Sequence, residues 1–291
     1  PYTMRGGSEL SSDSDSHNQK GLNLDYATAW SYGINEMPNL MIPNFNGGSS
    51  SGELPLDSET GKLLKRAGQP HLKETMKALP LYWGPQPFTA GPMYLGAVSI
   101  FLFVLGLFLC KGREKWWLLA ATVIAVLLAW GNHFMWFTRL WFNYAPMYNK
   151  FRTVSMALTV LQVTVPMLGF LALDRIVKEQ YSRKDFNRAG WLAFGLTAGF
   201  CLLCVIVPGI AGSFTAASDA GQPEILADAL SLDRQTLLRK DALRSLLLIT
   251  VVFALIQWAY RAKEPFAAKG RMTIISVAIA LVVFFDLFSV D

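Results

Sequence analysis

The stretch of this 291-residue chain best equipped for chemistry is Asn132–Arg152. It reads N-H-F-M-W-F-T-R-L-W-F-N-Y-A-P-M-Y-N-K-F-R: eight aromatics, three cations (Arg139, Lys150, Arg152) and no acid. Aromatic side chains seat a segment at a membrane–water interface. Cations without acidic neighbours are free to hold a phosphate, Arg as a bidentate fork and Lys as a point charge. Composition alone also allows a plainer reading, in which Lys150 and Arg152 face anionic headgroups. His133 could act as a general base or metal ligand. His17 and His71 lie far off in sequence, so no metal site is expected. Cys110, Cys201 and Cys204 are odd in number and sit inside apolar runs, which excludes a disulfide scaffold. P-loop, G-x-G-x-x-G and H-E-x-x-H patterns are absent, as is any internal repeat.

These residues must be positioned by elements of an unusually apolar chain. Apolar residues make up 52%, charged residues 16%, and mean hydropathy is +0.31. Such a composition excludes disorder over most of the length. It points to spans, for which about 20 apolar residues suffice. Six stretches qualify: 93–110, 116–131, 153–173, 190–211, 242–260 and 272–288. Phe134–Phe137 could lengthen the second. Each is expected to be helical, because lipid offers no partner to a free backbone group. The fold class predicted is therefore all-α: a polytopic membrane bundle at 93–288, with an extracytoplasmic loop region at 1–92.

The net charge of +5 is sorted by side. Links Lys111–Lys115, Asp174–Ala189 and Arg261–Arg271 hold three, five and four Lys/Arg, whereas the longer alternate links 132–152 and 212–241 hold three each. The positive-inside rule places the first set in the cytoplasm. Residues 1–92, 132–152 and 212–241 then lie outside. This sorting accounts for the basic balance without nucleic acid.

Several local features carry expectations. Gly195 and Gly199 form a G-x-x-x-G pair suited to close helix approach. Gln162 is expected to bond between helices, and Pro166 to bend its span. Asp286 lies near the outer end of the last span and is expected to be interfacial and solvated. Ser8–Ser16 reads as a flexible loop, and Asn44–Gly52 as either a mobile loop or a backbone-lined binding turn. Leu24–Met41 suits a helix or re-entrant piece, and Ser58–Leu79 a polar surface helix broken at Gly68–Pro70. Pro223–Arg244 reads as an amphipathic surface helix that docks at the headgroups and feeds span five. Pro85, Pro87 and Pro92 forbid regular helix before span one, where Tyr82, Trp83 and Phe88 suit the headgroup level.

The run Tyr82-Trp-Gly-Pro-Gln-Pro-Phe-Thr-Ala-Gly-Pro-Met-Tyr94, followed by Tyr144-Ala-Pro-Met-Tyr-Asn-Lys-Phe-Arg-Thr-Val-Ser155, resembles the YfhO-type bacterial membrane proteins, particularly those of Bacteroidetes. Met4–Glu9, Trp30–Gly33, Ile42–Ser50 and Asp233–Ser245 are similar as well. The resemblance implies a relation to the GT-C superfamily of polytopic glycosyltransferases, which take a sugar from a polyprenyl-phosphate donor at the outer face of the membrane. It implies a bacterial cytoplasmic membrane location, a cell-envelope acceptor and, in some settings, a partner glycosyltransferase. It also implies that this chain is a fragment, with the catalytic acid upstream of Pro1. Lys150 and Arg152 would then bind the donor phosphate, with Tyr144, Tyr148, Asn149, Trp83 and Gln86 contacting donor or lipid. No cofactor is evident, although the superfamily leaves room for a divalent metal. Two other functions compete. A transporter or flippase of lipid-linked sugars predicts ionisable residues at mid-membrane and paired broken helices. A non-catalytic scaffold predicts indifference to loss of Lys150 and Arg152.

Overall fold

The structure is a computed structural model that describes residues 22–91, 93–178, 181–261 and 265–290, side chains at 259 and 261–273 excepted. Ser8–Ser16 and Met4–Glu9 lie outside the described residues. Every regular element within them is helical, with one isolated bridge between Gly52 and Leu79. The N-terminal region contributes α1 (Leu24–Thr28), a 3-10 helix (Ile34–Leu40), α2 (Glu59–Arg66) and α3 (Leu72–Met76). The bundle follows as α4 (Ala97–Leu109), α5 (Arg113–Ala129), α6 (Met135–Tyr144), α7 (Leu161–Val177), α8 (Arg183–Ile206), α9 (Glu224–Arg261) and α10 (Pro265–Phe288).

Among the described residues, three helical stretches are long and apolar enough to cross a membrane: Val154–Val177, Arg183–Ile206 and Glu224–Trp258. A fourth arises only if α5 and the stretch Gly131–Tyr144 are taken as one broken span, bent by 109°. This is fewer than the six stretches expected from hydropathy. Among the shorter segments, α4 has 13 residues, about 20 Å of helix at 1.5 Å per residue. The cause is its position. Packed against α7, α8, α9 and α10, it buries most of its residues. A helix sheathed by protein need not match the thickness of the hydrocarbon layer.

Close packing rather than a hydrophobic drive holds helices together in lipid. Here the small residues that permit it are Gly106 of α4 and Gly169 of α7. A Cβ at either would press on Leu168 or Leu102 across the α4–α7 contact. The expected Gly195–Gly199 pair does not do this: both glycines face open space, while Ala193, Thr197, Ala198 and Cys201 turn inward. Gln162 is exposed. The bond between α5 and α7 runs instead from Thr122 to Thr164 Oγ1, at 2.8 Å. Pro166 lies within a stretch that stays one continuous candidate span.

α9 corrects another expectation. It is one helix of 38 residues, because nothing from Glu224 to Arg261 is Gly or Pro. Its first half packs on protein. Leu230 and Leu238 are buried, and α2 packs along it. Asp233 accepts the Glu59 and Thr60 N–H groups at 2.9 and 2.8 Å and so caps α2. The break expected at Gly68–Pro70 does separate α2 from α3.

The two ends of the bundle differ in kind. At one end Lys111 pairs with Asp185 at 2.8 Å, and Arg183 stacks on Tyr260 at 5.6 Å. The first two basic links meet there, beside the end of α9. At the other end lie α1 to α3, the segment after α5, and the outer part of α9. Asp286 belongs to this second end and is fully buried, not solvated. It accepts from Tyr94 Oη at 2.6 Å, from the Val98 N–H at 3.2 Å and from Arg244 at 3.1 Å. A carboxylate from α10 thus caps the N-terminus of α4, whose first amide groups have no partner within the helix.

Candidate functional site: a cation turn over an aromatic floor

The second expected loop is not flexible. Asn44 donates through its backbone N–H and its Nδ2 to Asp241, at 3.1 and 2.6 Å. Asn46 bonds reciprocally to Asn39 at 3.1 Å. Gly47 has φ +85° and lies against the Leu81 carbonyl, where no Cβ would fit. Buried amide side chains that find partners order a segment whose composition suggests mobility. Ser49 and Trp83 complete the join: the Tyr82 N–H donates to the Ser49 carbonyl, and the Trp83 N–H to that of Asn46, both at 3.0 Å.

Beside this loop lies a buried carboxylate that the sequence does not advertise. Glu36 is 1% exposed. It accepts from the Gly33 N–H at 2.7 Å, Tyr82 Oη at 2.6 Å and Gln86 Nε2 at 3.1 Å. All three donors are neutral. Burial first, then the bond to Glu36, pushes the Tyr82 phenol far above its ordinary value, so it stays a donor. Tyr32 is raised by burial and by the Glu36 charge, and donates to the Glu36 carbonyl at 2.9 Å. Gln86 is therefore a rivet of the proline-rich turn. Trp83 packs on Phe214 at 5.1 Å, beneath the Asn44–Gly52 loop.

The cation segment hangs on a sharp turn. Met147 at φ +65° and Thr153 at φ +68° bracket Tyr148–Arg152. Non-glycine residues in the left-handed region are uncommon, and they persist where surrounding structure holds them. Here the Leu22 N–H donates to the Asn149 carbonyl at 2.9 Å, and the Thr153 N–H to that of Ala27 at 3.2 Å. Both bonds join the turn to the segment carrying α1, which is the floor of the site. Arg152 donates to Tyr26 Oη at 2.7 Å. Its guanidinium lies 5.8 Å from the Tyr26 ring and 5.9 Å from the Trp30 ring. Trp30 in turn meets Phe88 edge-on at 5.3 Å. Such a cation is oriented by rings and keeps most of its donors free.

Among the described residues, no acid pairs with Lys150 or Arg152. Lys150 is half-buried on the same turn. Tyr144 is 80% exposed. Tyr148 is half-buried with its ring 6.4 Å from Trp141. Burial raises its phenol, and its Oη has no partner among the described residues. The structure therefore gathers Tyr148, Asn149, Lys150 and Arg152 on one turn. Gln86 is instead bonded to Glu36, and Trp83 packs on Phe214.

Other polar side chains here are structural. Arg234, fully buried, donates to Asp219 at 2.6 and 3.0 Å and to the carbonyls of Pro80, Leu81 and Phe214. Two short patterns match known motifs without their context. Gly48–Gly52 spells G-x-S-x-G, but Ser50 lies in a loop and its hydroxyl accepts the Thr89 N–H at 2.9 Å. The strand–turn–helix that gives that motif its meaning is absent here. Cys201 and Cys204 spell C-x-x-C, but both are free thiols buried within α8. No group of three or more His, Cys, Asp or Glu among the described residues could hold a metal ion. No protein-family model matches this chain, and no curated protein or solved structure is significantly similar to it, so the site rests on its own geometry.

Proposed function

We propose that this chain belongs to a multi-pass membrane glycosyltransferase that takes its sugar from a polyprenyl-phosphate donor, as the resemblance to YfhO-type proteins implies. In this reading Lys150 and Arg152 hold the donor phosphate at the outer face of a bacterial cytoplasmic membrane. The observation that carries it is Arg152: exposed, oriented by Tyr26 and Trp30, and without an acidic partner among the described residues. The strained ends of its turn support the same reading.

The chemistry follows from charge. The bond between the sugar's anomeric carbon and the phosphate oxygen breaks while an acceptor oxygen bonds to that carbon. The departing phosphate gains negative charge as it leaves. A cation already in place stabilises that charge without reorganising. The acceptor's proton goes to a general base; Glu36, the buried acid nearest in the chain to the ring floor, is already saturated by donors. Six crossings belong to this proposal. Contact between the first two basic links supports them, as does the capping of α4 by the far end of α10.

The test is sugar transfer in liposomes from a panel of polyprenyl-phosphate sugars. Arg152→Ala is expected to lower transfer by about 100-fold, the scale of losing one charge-stabilising donor. Transfer by the folded variant at the wild-type rate would refute the site, and a phosphate-independent transfer would refute the donor class.

A further inference from the structure

The angle between α5 and α6 admits two meanings. A span can kink and continue, or it can stop and be followed by a helix lying in the membrane surface. The elbow is rigid. Ser31 Oγ accepts the Asn132 N–H at 2.8 Å, Thr138 Oγ1 donates to the Gly131 carbonyl at 2.7 Å, and the Tyr32 N–H reaches the Ala129 carbonyl at 2.8 Å. Gly131 has φ +46°, and a Cβ there would meet Ser31 and Val154. The segment following α1 thus fills the inside of the bend, and α6 cannot straighten into line with α5.

The faces of α6 are sorted. Thr138 is fully buried. Phe137 lies 5.8 Å from Phe134 and 6.0 Å from Trp141, along the half-buried side. The opposite side carries Trp136 at 71% exposure, Leu140 at 43% and Tyr144 at 80%, flanked along one edge by exposed Asn143 and Arg139. No acid occurs anywhere in 132–152. Among the described residues Arg139 has no ion-pair partner. Apolar and aromatic residues beside an unopposed cation, on one helix face, are the pattern of a segment seated between headgroups and acyl chains.

We propose that α6 is an in-plane interfacial helix of the outer leaflet. Trp136, Leu140 and Tyr144 enter the acyl boundary, and Arg139 rests on the phosphate of an anionic phospholipid. Charge complementarity selects that occupant: a cationic, acid-free face fits an anionic headgroup. For α5 along the membrane normal, a bend of 109° makes α6 descend only about 5 Å over its length. The proposal does not depend on glycosyl transfer. An inactive protein gives the same result.

The experiment places spin labels by Trp136→Cys, Leu140→Cys and Tyr144→Cys in a background with Cys110, Cys201 and Cys204 replaced by Ala. Reconstitution is in phosphatidylcholine vesicles containing phosphatidylglycerol. Collision with oxygen against a water-soluble nickel chelate reads depth. The three labels are expected at one shallow depth, within about 5 Å. A depth difference of about 12 Å between positions 136 and 144 would mark a continuing span, and full access to the nickel chelate would mark a solvated loop. Either overturns the proposal. Where a cysteine variant fails to fold, quenching by brominated phosphatidylcholine, compared with Trp136→Phe, reads the same depth. Arg139→Gln is expected to lower phosphatidylglycerol retained in native mass spectra by about fivefold, from about 1 kcal/mol per cation. Unchanged retention removes the headgroup contact.

Discussion

Arg234 and Arg152 stand at the same end of the molecule in opposite states. All five guanidinium donors of Arg234 are used within hydrogen-bond range, two of them on Asp219, and no part of it meets solvent. Arg152 spends one donor on a tyrosine hydroxyl and lays its plane near two rings. The first ties three outer segments, 80–81, 214 and 219, to α9. The second is held in place and left unsatisfied. A cation whose donors are spent stabilises a fold, while one that is oriented but unspent can meet an anion. Net charge and sequence position do not separate the two.

The comparison breaks most sharply at Arg234. Arg234→Met leaves the Asp219 carboxylate buried without its partner and is expected to cost about 3–5 kcal/mol. Thermal unfolding in detergent measures it, and Asp219→Leu in the same chain should recover part of the loss. The pair also sets a pH dependence. Burial pushes the Asp219 carboxyl up, but bonds from Arg234 and the Ala216 N–H, with the Arg234 charge, hold it below the usual carboxylate range. The folded state therefore favours the ionised form. Its contribution is complete above about pH 4, where an unfolded Asp titrates, and is lost as pH falls through the lower folded value. Unfolding followed from pH 7 down to pH 3 should show this, and Asp219→Asn should remove that part of the slope.

Smaller effects sharpen the contrast. Asp286→Asn keeps an acceptor for Tyr94 and Val98 but loses the charge facing Arg244, with an expected cost of about 1–3 kcal/mol. Loosened α10 should then show as faster amide exchange at its outer end. Gly47→Ala forces a side chain into a left-handed position against the Leu81 carbonyl and is expected to cost about 1–3 kcal/mol. Arg152→Ala is expected to change stability by less than about 1 kcal/mol, as exposed pairings do, while donor-phosphate binding falls. A large loss of stability on Arg152→Ala, measured in the same unfolding assay, would make it a second Arg234 and erase the distinction.

Much of the scaffold was legible residue by residue. The apolar length of the helices, the break at Gly68–Pro70 and the acid-free aromatic run at 132–152 are all local properties. The failures share a cause. Asn44–Gly52 looks mobile by composition, yet it is pinned by Asp241, nearly two hundred positions away. Asp286 looks solvated by position, yet it caps a helix that begins at Ala97. Glu36 stands among neutral aromatics and gives no motif, because its partners Tyr82 and Gln86 come from another segment. Gly195 and Gly199 form a packing motif on paper, but the face they occupy is not one that the bundle covers.

By itself the sequence determined an all-helical, membrane-type chain, because backbone groups in lipid must bond within their own segment. Only the tertiary structure decided that α4 is sheathed by its neighbours, that α6 turns away from α5, and which arginine is spent and which remains available. Those outcomes depend on groups brought together from distant positions, where burial and the presence of a partner set the state of a charge.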